Sequence, residues 1–177
     1  CGDGLIPDAQ AALRRLGVLD EVMQLAQPVS HVRCFAPSGR HVDVPGNLSV
    51  LPRRELDHVL VRAAQRAGAK LVTPWRFDAP LQDAGRVVGA RFKRGGEFRE
   101  VRARHVVLAT GAAPQALIAA GMCERRVPSA IGLRGYVKNP AMIGCITHLE
   151  VVWHKRLRPG YGWIFPCRDG VFNIGVG

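Results

Sequence analysis

The chain has 177 residues, 47% of them hydrophobic and 22% charged, with a formal net charge of +11. That is the length of one ordinary domain, and the apolar fraction suffices to offset ordering entropy, which excludes intrinsic disorder. Twenty glycines and twelve prolines at no fixed period exclude collagen. The excess charge is nearly all arginine and is spread over every predicted element, so it reads as a solvated basic surface rather than a nucleic-acid face.

In chain order, Pro7 to Leu16 reads as a helix: Pro7 suits the first helical position, Ala9, Ala12, Leu13 and Leu16 share one face, and Gly17 ends it. A shorter helix from Leu19 to Ala26 stops before Pro28. Val29 to Val44 alternates weakly around Pro37-Ser38-Gly39 and reads as a hairpin. The clearest helix is Arg53 to Ala67, with Leu56, Val59, Leu60, Ala63, Ala64 and Ala67 on one face, Pro52 before and Gly68 after. Lys70 to Thr73 reads as a short buried strand. A meander follows (Phe77 to Leu81, Val87 to Phe92, Phe98 to Val101), turning at Asp83-Ala84-Gly85 and Arg94-Gly95-Gly96. His105 to Ala109 reads as a second buried strand and Pro114 to Ala120 as a short helix closed by Gly121. From Ile131 the pattern turns to strands alone: Ile131 to Val137, Ile146 to His154, Tyr161 to Phe165 and Val171 to Val176. The fold class is therefore α/β over the first two-thirds, mixed with an antiparallel sheet in the last third.

The longest uncharged stretch, Val106 to Cys123, is interrupted by Thr110, Gly111, Pro114, Gln115 and Gly121, which argues against a membrane span. The five cysteines are odd in number and widely spaced, without a C-x-x-C pair, and the six histidines show no H-x-x-x-H spacing. This fits free thiols in a reducing compartment and no metal site, so a cytoplasmic location is expected. The chain opens Cys1-Gly2-Asp3 and closes Gly175-Val176-Gly177, and it reads as a segment of something longer.

No G-x-G-x-x-G, Walker A or nucleophile elbow occurs. Three elements remain. Gly2-Asp3-Gly4 leads straight into the Pro7 helix, where glycines let backbone N–H groups approach a polar or anionic group; a plain turn is the alternative. Val106 to Ala112 is a hydrophobic run ending in small residues, the way α/β sheets present backbone to a nucleotide, or an ordinary turn. In Pro159-Gly160-Tyr161-Gly162-Trp163-Ile164-Phe165-Pro166 three rings stand two apart, on one face of a strand. They line either a pocket for a flat or greasy ligand or a core stripe.

Together these segments resemble FAD-dependent oxidoreductases of the geranylgeranyl reductase type, within the para-hydroxybenzoate hydroxylase fold. Cys1-Gly2-Asp3-Gly4-Leu5-Ile6-Pro7 is similar to that family's Cys-Gly-x-Gly segment beside the flavin. Arg53-Arg54-Glu55-Leu56-Asp57 matches its R-x-x-[FL]-D helix start, and Ala67-Gly68-Ala69 the A-G-A at that helix's end. Tyr161 to Pro166 matches its Y-x-W-x-F-P motif, followed by Asn173-Ile174-Gly175-Val176-Gly177. One departure is Ala109-Thr110-Gly111-Ala112, where the family often carries Ala-Asp-Gly-Ala.

The resemblance implies that residues 1–28 and 50–125 are part of a Rossmann-like FAD-binding domain with a β-meander. It implies that 29–49 and 126–177 are part of an antiparallel-sheet substrate domain. It places Gly2, Asp3 and Gly4 against the flavin by backbone and Cys1 near the isoalloxazine ring. Arg53 falls at the pyrophosphate or ribityl chain, a charge-assisted contact. Thr110, Gly111 and Ala112 form a further cofactor turn, and Tyr161, Trp163 and Phe165 anchor a prenyl-like apolar substrate. The implied activity is hydride transfer to an isoprenoid C=C bond, with NADPH or another reductant as donor and peripheral contact with a membrane. A flavin monooxygenase of the same fold acting on an aromatic substrate and a basic binding module are the alternatives.

Overall fold

The computed structural model describes residues 2–177. In chain order the elements are β1 (Gly4–Leu5), α1 (Pro7–Arg15), α2 (Leu19–Leu25), β2 (Gln27–Phe35), β3 (His41–Val50) and α3 (Arg53–Arg66). Then come β4 (Arg76–Asp83), β5 (Arg86–Arg94), β6 (Glu97–Arg102), α4 (Gln115–Ala119), β7 (Leu133–Lys138), β8 (Leu149–Val152), β9 (Gly162–Pro166) and β10 (Val171–Val176). They divide into two compact units, Cys1–Ala69 with Ala130–Gly177, and Lys70–Ser129.

The first unit is a seven-stranded sheet in the order β1-β3-β2-β8-β9-β10-β7 with the three longer helices. All pairings are antiparallel except β2 with β8. Leu13, Val18, Val22, Leu51, Leu56 and Val59 form one apolar core between the helices and the start of the sheet. Val29, Leu48, Val50, Leu149 and Cys167 form a second, with Phe165 packed against it. Two helices end as their glycines predict. Gly17 and Gly68 stand at φ +69° and +95°, which an L side chain rarely adopts. At each, the glycine N–H reaches three residues back and the next N–H five back: Gly17 to Arg14 and Val18 to Leu13, Gly68 to Gln65 and Ala69 to Ala64.

The second unit is the β4-β5-β6 meander with α4, which closes at Gly121 in the same manner. Ala84 and Gly85 both take positive φ, forming a tight two-residue turn between β4 and β5. Two expectations fail here. Lys70 to Thr73 and His105 to Ala109 are not strands, and several of their apolar residues are open: Leu71 is 58% exposed, Val72 51% and Val107 84%. A strand exists through its ladder, and among the described residues neither segment has a paired strand, although Val106 and Leu108 stay partly buried. Hydrophobicity alone marked them as buried.

Candidate functional site

The glycine segment enters the fold as an edge. β1 pairs on one side with β3, Gly4 opposite Val50, and has no second sheet neighbour among the described residues. The Asp3 carbonyl accepts from the Leu51 N–H at 2.9 Å, which continues the register by one residue. Phe165 lies directly behind: a Cβ built on Gly4 would sit 3.6 Å from its ring.

The Asp3 side chain is completely buried, and four donors from three elements converge on it. Oδ1 accepts from the Arg53 backbone N–H (3.1 Å) and from Arg134 Nη1 (2.8 Å). Oδ2 accepts from the Tyr136 hydroxyl (2.7 Å) and from Asn173 Nδ2 (2.5 Å). A carboxylate is a pure acceptor with room for four such bonds, so donors and acceptor match. The bond to Arg53 caps α3, because Pro52, which precedes the helix, has no side-chain acceptor to offer. It also sets a negative group against the positive end of the helix dipole. Arg134 and Tyr136 belong to β7, at the opposite end of the strand order from β1. The sheet therefore curls until its two ends meet on one carboxylate.

The electrostatics follow from that closure. Burial, and then the hydrogen bond to Asp3, push the Tyr136 hydroxyl up to about 12, so it stays a donor at neutral pH. Burial works against the charge on Arg134, but Asp3 outweighs it and holds the guanidinium above its ordinary range.

Arg53 sits in the first turn of α3. Its guanidinium is partly exposed and meets Asp57 one turn along, with Nε 3.1 Å from Oδ1. The cation thus stands at the helix N-terminus, on the residue whose backbone N–H bonds Asp3. In the aromatic stripe, Trp163 Nε1 donates to Asn173 Oδ1 at 3.0 Å. The Trp163 ring covers Gly175 so closely that a Cβ there would lie 2.2 Å from Cζ2. Tyr161 is 43% exposed and its ring stands between those of Trp153 and Trp163, 5.8 and 6.0 Å away.

The fold thus brings together Gly2, Asp3, Gly4, Arg53, Trp163 and Phe165, with Tyr161 joined through Trp163. The Asp3 side chain, to which sequence reasoning gave no role, is what joins them. Thr110, Gly111 and Ala112 belong to the second unit. There the Thr110 hydroxyl donates to the Ala113 carbonyl at 2.9 Å and Gly111 takes φ +59°, so the side chain is spent on its own turn. Cys1 lies outside the described residues. Sequence reasoning missed Arg134 and Tyr136, and gave Asn173 no role. Their signal is polar residues two apart on β7, with Tyr136 in register with Asn173 of β10. No group of three or more His, Cys, Asp or Glu among the described residues is arranged to hold a metal.

A family model described as an FAD binding domain matches residues 12–136. The chain belongs to that family. Its whole length aligns at 30% identity with digeranylgeranylglycerophospholipid reductase 2 of Methanopyrus kandleri, covering 44% of that protein. It aligns likewise at 31% identity with menaquinone reductase of Mycolicibacterium smegmatis, covering 45%. The chain therefore spans less than half the length of these relatives. Among solved structures, a geranylgeranyl bacteriochlorophyll reductase-like protein from Thermoplasma acidophilum superposes with a TM-score of 0.79 at 21% identity, over all of this chain and 46% of that one. The FAD-binding chain is thus of the same fold as that protein. No helix among the described residues is long and apolar enough to cross a membrane.

Proposed function

We propose that this chain works within an FAD-dependent reductase of the geranylgeranyl reductase type, acting on a C=C bond of an isoprenoid chain. The observation that carries this reading is the meeting of an edge-strand glycine segment, a cationic helix start and an aromatic stripe at one buried carboxylate. A relative aligned over the whole chain supports the substrate class, because it is named a digeranylgeranylglycerophospholipid reductase.

The residues present fit a flavin dinucleotide. Among the described residues the outer backbone edge of Gly4 is free of sheet pairing, and Arg53 offers a partly exposed cation at a helix N-terminus, suited to a diphosphate. FAD, when bound and reduced by the donor, would supply the hydride for the reduction. Gly2 to Gly4 would hold it by backbone, Arg53 by charge, and Thr110 to Ala112 by a further backbone approach; Cys1 is assigned near the ring. Tyr161, Trp163 and Phe165 would anchor the apolar chain and exclude water. NADPH or another reductant is the proposed donor. We assign residues 1–28 and 50–125 to the cofactor-binding part and 29–49 and 126–177 to the substrate-binding sheet. Cys34, Cys123, Cys145 and Cys167 are unpaired thiols, which supports a cytoplasmic, reducing location.

The test is the visible spectrum of the full-length protein. Flavin bands that bleach anaerobically with NADPH in the absence of substrate are expected. Bleaching only when an aromatic substrate is added would replace the reductase by a monooxygenase, and a protein without flavin bands would overturn both.

A further inference from the structure

Asn173 is completely buried and faces two groups of opposite demand. On one side is the Asp3 carboxylate, which only accepts; on the other is the Trp163 indole N–H, which only donates. An amide is the neutral side chain that serves both, and those two partners dictate which way it points. The Trp163 ring is then held at three places: its Nε1 by Asn173, its six-membered ring against Gly175, and beside it the Tyr161 ring, tilted at 52°. The chain of bonds runs Asp3, Asn173, Trp163. It joins the residue that sits between the two glycines of the cofactor segment to the middle ring of the stripe.

We propose that Asn173 is a specificity-determining positioning residue. It sets the angle of the Trp163 ring in the apolar subsite, and it takes its own orientation from Asp3. The consequence for specificity rests on the substrate role given to Trp163 above; the orientation itself does not. Replacing Asn173 by Asp would remove the donor to Asp3 and set a second carboxylate against it, and the repulsion would swing the side chain at 173 away together with the indole bonded to it, whereas exchanging the two residues would restore an amide facing a carboxylate with the indole in place.

The experiment uses the full-length, flavin-loaded protein as Asn173→Asp, Asp3→Asn, the double exchange Asp3→Asn with Asn173→Asp, and Trp163→Phe. Near-ultraviolet circular dichroism in the indole region reads how firmly Trp163 is held, and the Trp163→Phe protein identifies that ring's share beside the protein's other indoles. Kinetics with a short and a long isoprenoid alcohol diphosphate read KM and kcat separately, and flavin content and Tm are followed throughout. Losing a hydrogen bond to a charged group predicts that Asn173→Asp raises KM for the long substrate about tenfold with kcat little changed. The Trp163 part of the dichroism should fall with it, and the exchange should recover most of both. An unchanged dichroism in Asn173→Asp overturns the proposal. So does a loss of flavin and Tm in both single variants that the exchange does not repair, because the cluster is then merely structural. If the dichroism falls and recovers but no isoprenoid is turned over by the unaltered protein, the positioning stands and the substrate reading fails.

Discussion

Asp3 shows how much one residue can organise when every group around it is a donor. Removing it would leave the buried Asn173 amide without its acceptor, whereas the Arg134 guanidinium, with a third of its side chain exposed, is met by water. A buried donor left unsatisfied costs about 1–3 kcal/mol. Asp3→Ala should therefore lower the chemical-denaturation stability of the full-length protein by that amount. Asp57→Ala removes only the partly exposed partner of Arg53, a contact worth about 0.3–0.5 kcal/mol, and should barely move the transition. Arg53 itself carries a different expectation. Arg53→Ala should reduce flavin occupancy more than Arg54→Ala, by roughly 1.5–3 kcal/mol in cofactor affinity, the value of a hydrogen bond to a charged group. Equal occupancy in the two purified variants would remove Arg53 from the cofactor site.

At the scale of elements, β9 separates the two roles that an aromatic stripe can play. Phe165 packs against Val29, Leu48 and Leu149, whereas Tyr161 is 43% exposed. Phe165, partly buried against that core, should lose less on truncation to Ala than the about 3–5 kcal/mol of a fully buried aromatic, and Tyr161→Ala less again. Thermal melts of the two proteins give the comparison, and equal losses would make the whole stripe core. The turn after the His105 to Ala109 segment is the second case. Gly111 at φ +59° cannot take a β-branched residue without strain, whatever space surrounds it. Gly111→Val should abolish flavin retention while Thr110→Ala, whose hydroxyl bonds only within its own turn, leaves it nearly intact; flavin absorbance per protein decides. The helices themselves were legible residue by residue. Pro7 opens α1, Leu56 and Val59 mark the buried face of α3, and Gly17, Gly68 and Gly121 close three helices, because capping is local chemistry that adjacent residues settle among themselves.

For the molecule as a whole, pH sensitivity resides where β2 meets the chain before β8. The imidazoles of His31 and His148 stack with centroids 4.6 Å apart. Burial, followed by the nearby charges of Arg33 and His31, holds the His148 pKa below 6.5, against the weaker pull of Glu150 and Asp43. The unfolded chain then takes up a proton at His148 before the folded one does. Stability from this group is complete above about pH 6.5 and falls as the pH drops below it, until the folded protein protonates as well. Denaturation midpoints of the full-length protein should decline between pH 7 and 5, and His148→Gln should flatten that decline. An identical slope in the variant would assign the effect to other groups.

What the sequence by itself determined is the set of local structures and the family they compose. Alternation, helical period and glycine stops mark the β2–β3 hairpin, α1, α3 and the meander, and the glycine, arginine and aromatic motifs carry a resemblance that the FAD binding domain match upholds. These features depend on neighbours within a few positions, so they are written where they act. Only the tertiary structure decided which motifs share a site and what the polar residues inside it do. Asp3 reaches Arg134, Tyr136 and Asn173 more than a hundred positions away, and no spacing rule links them. The same reason explains the two segments misread as buried strands. Hydrophobicity announces that Leu71 and Val107 can be covered, but a ladder needs a partner, and pairing is a property of the fold rather than of the segment.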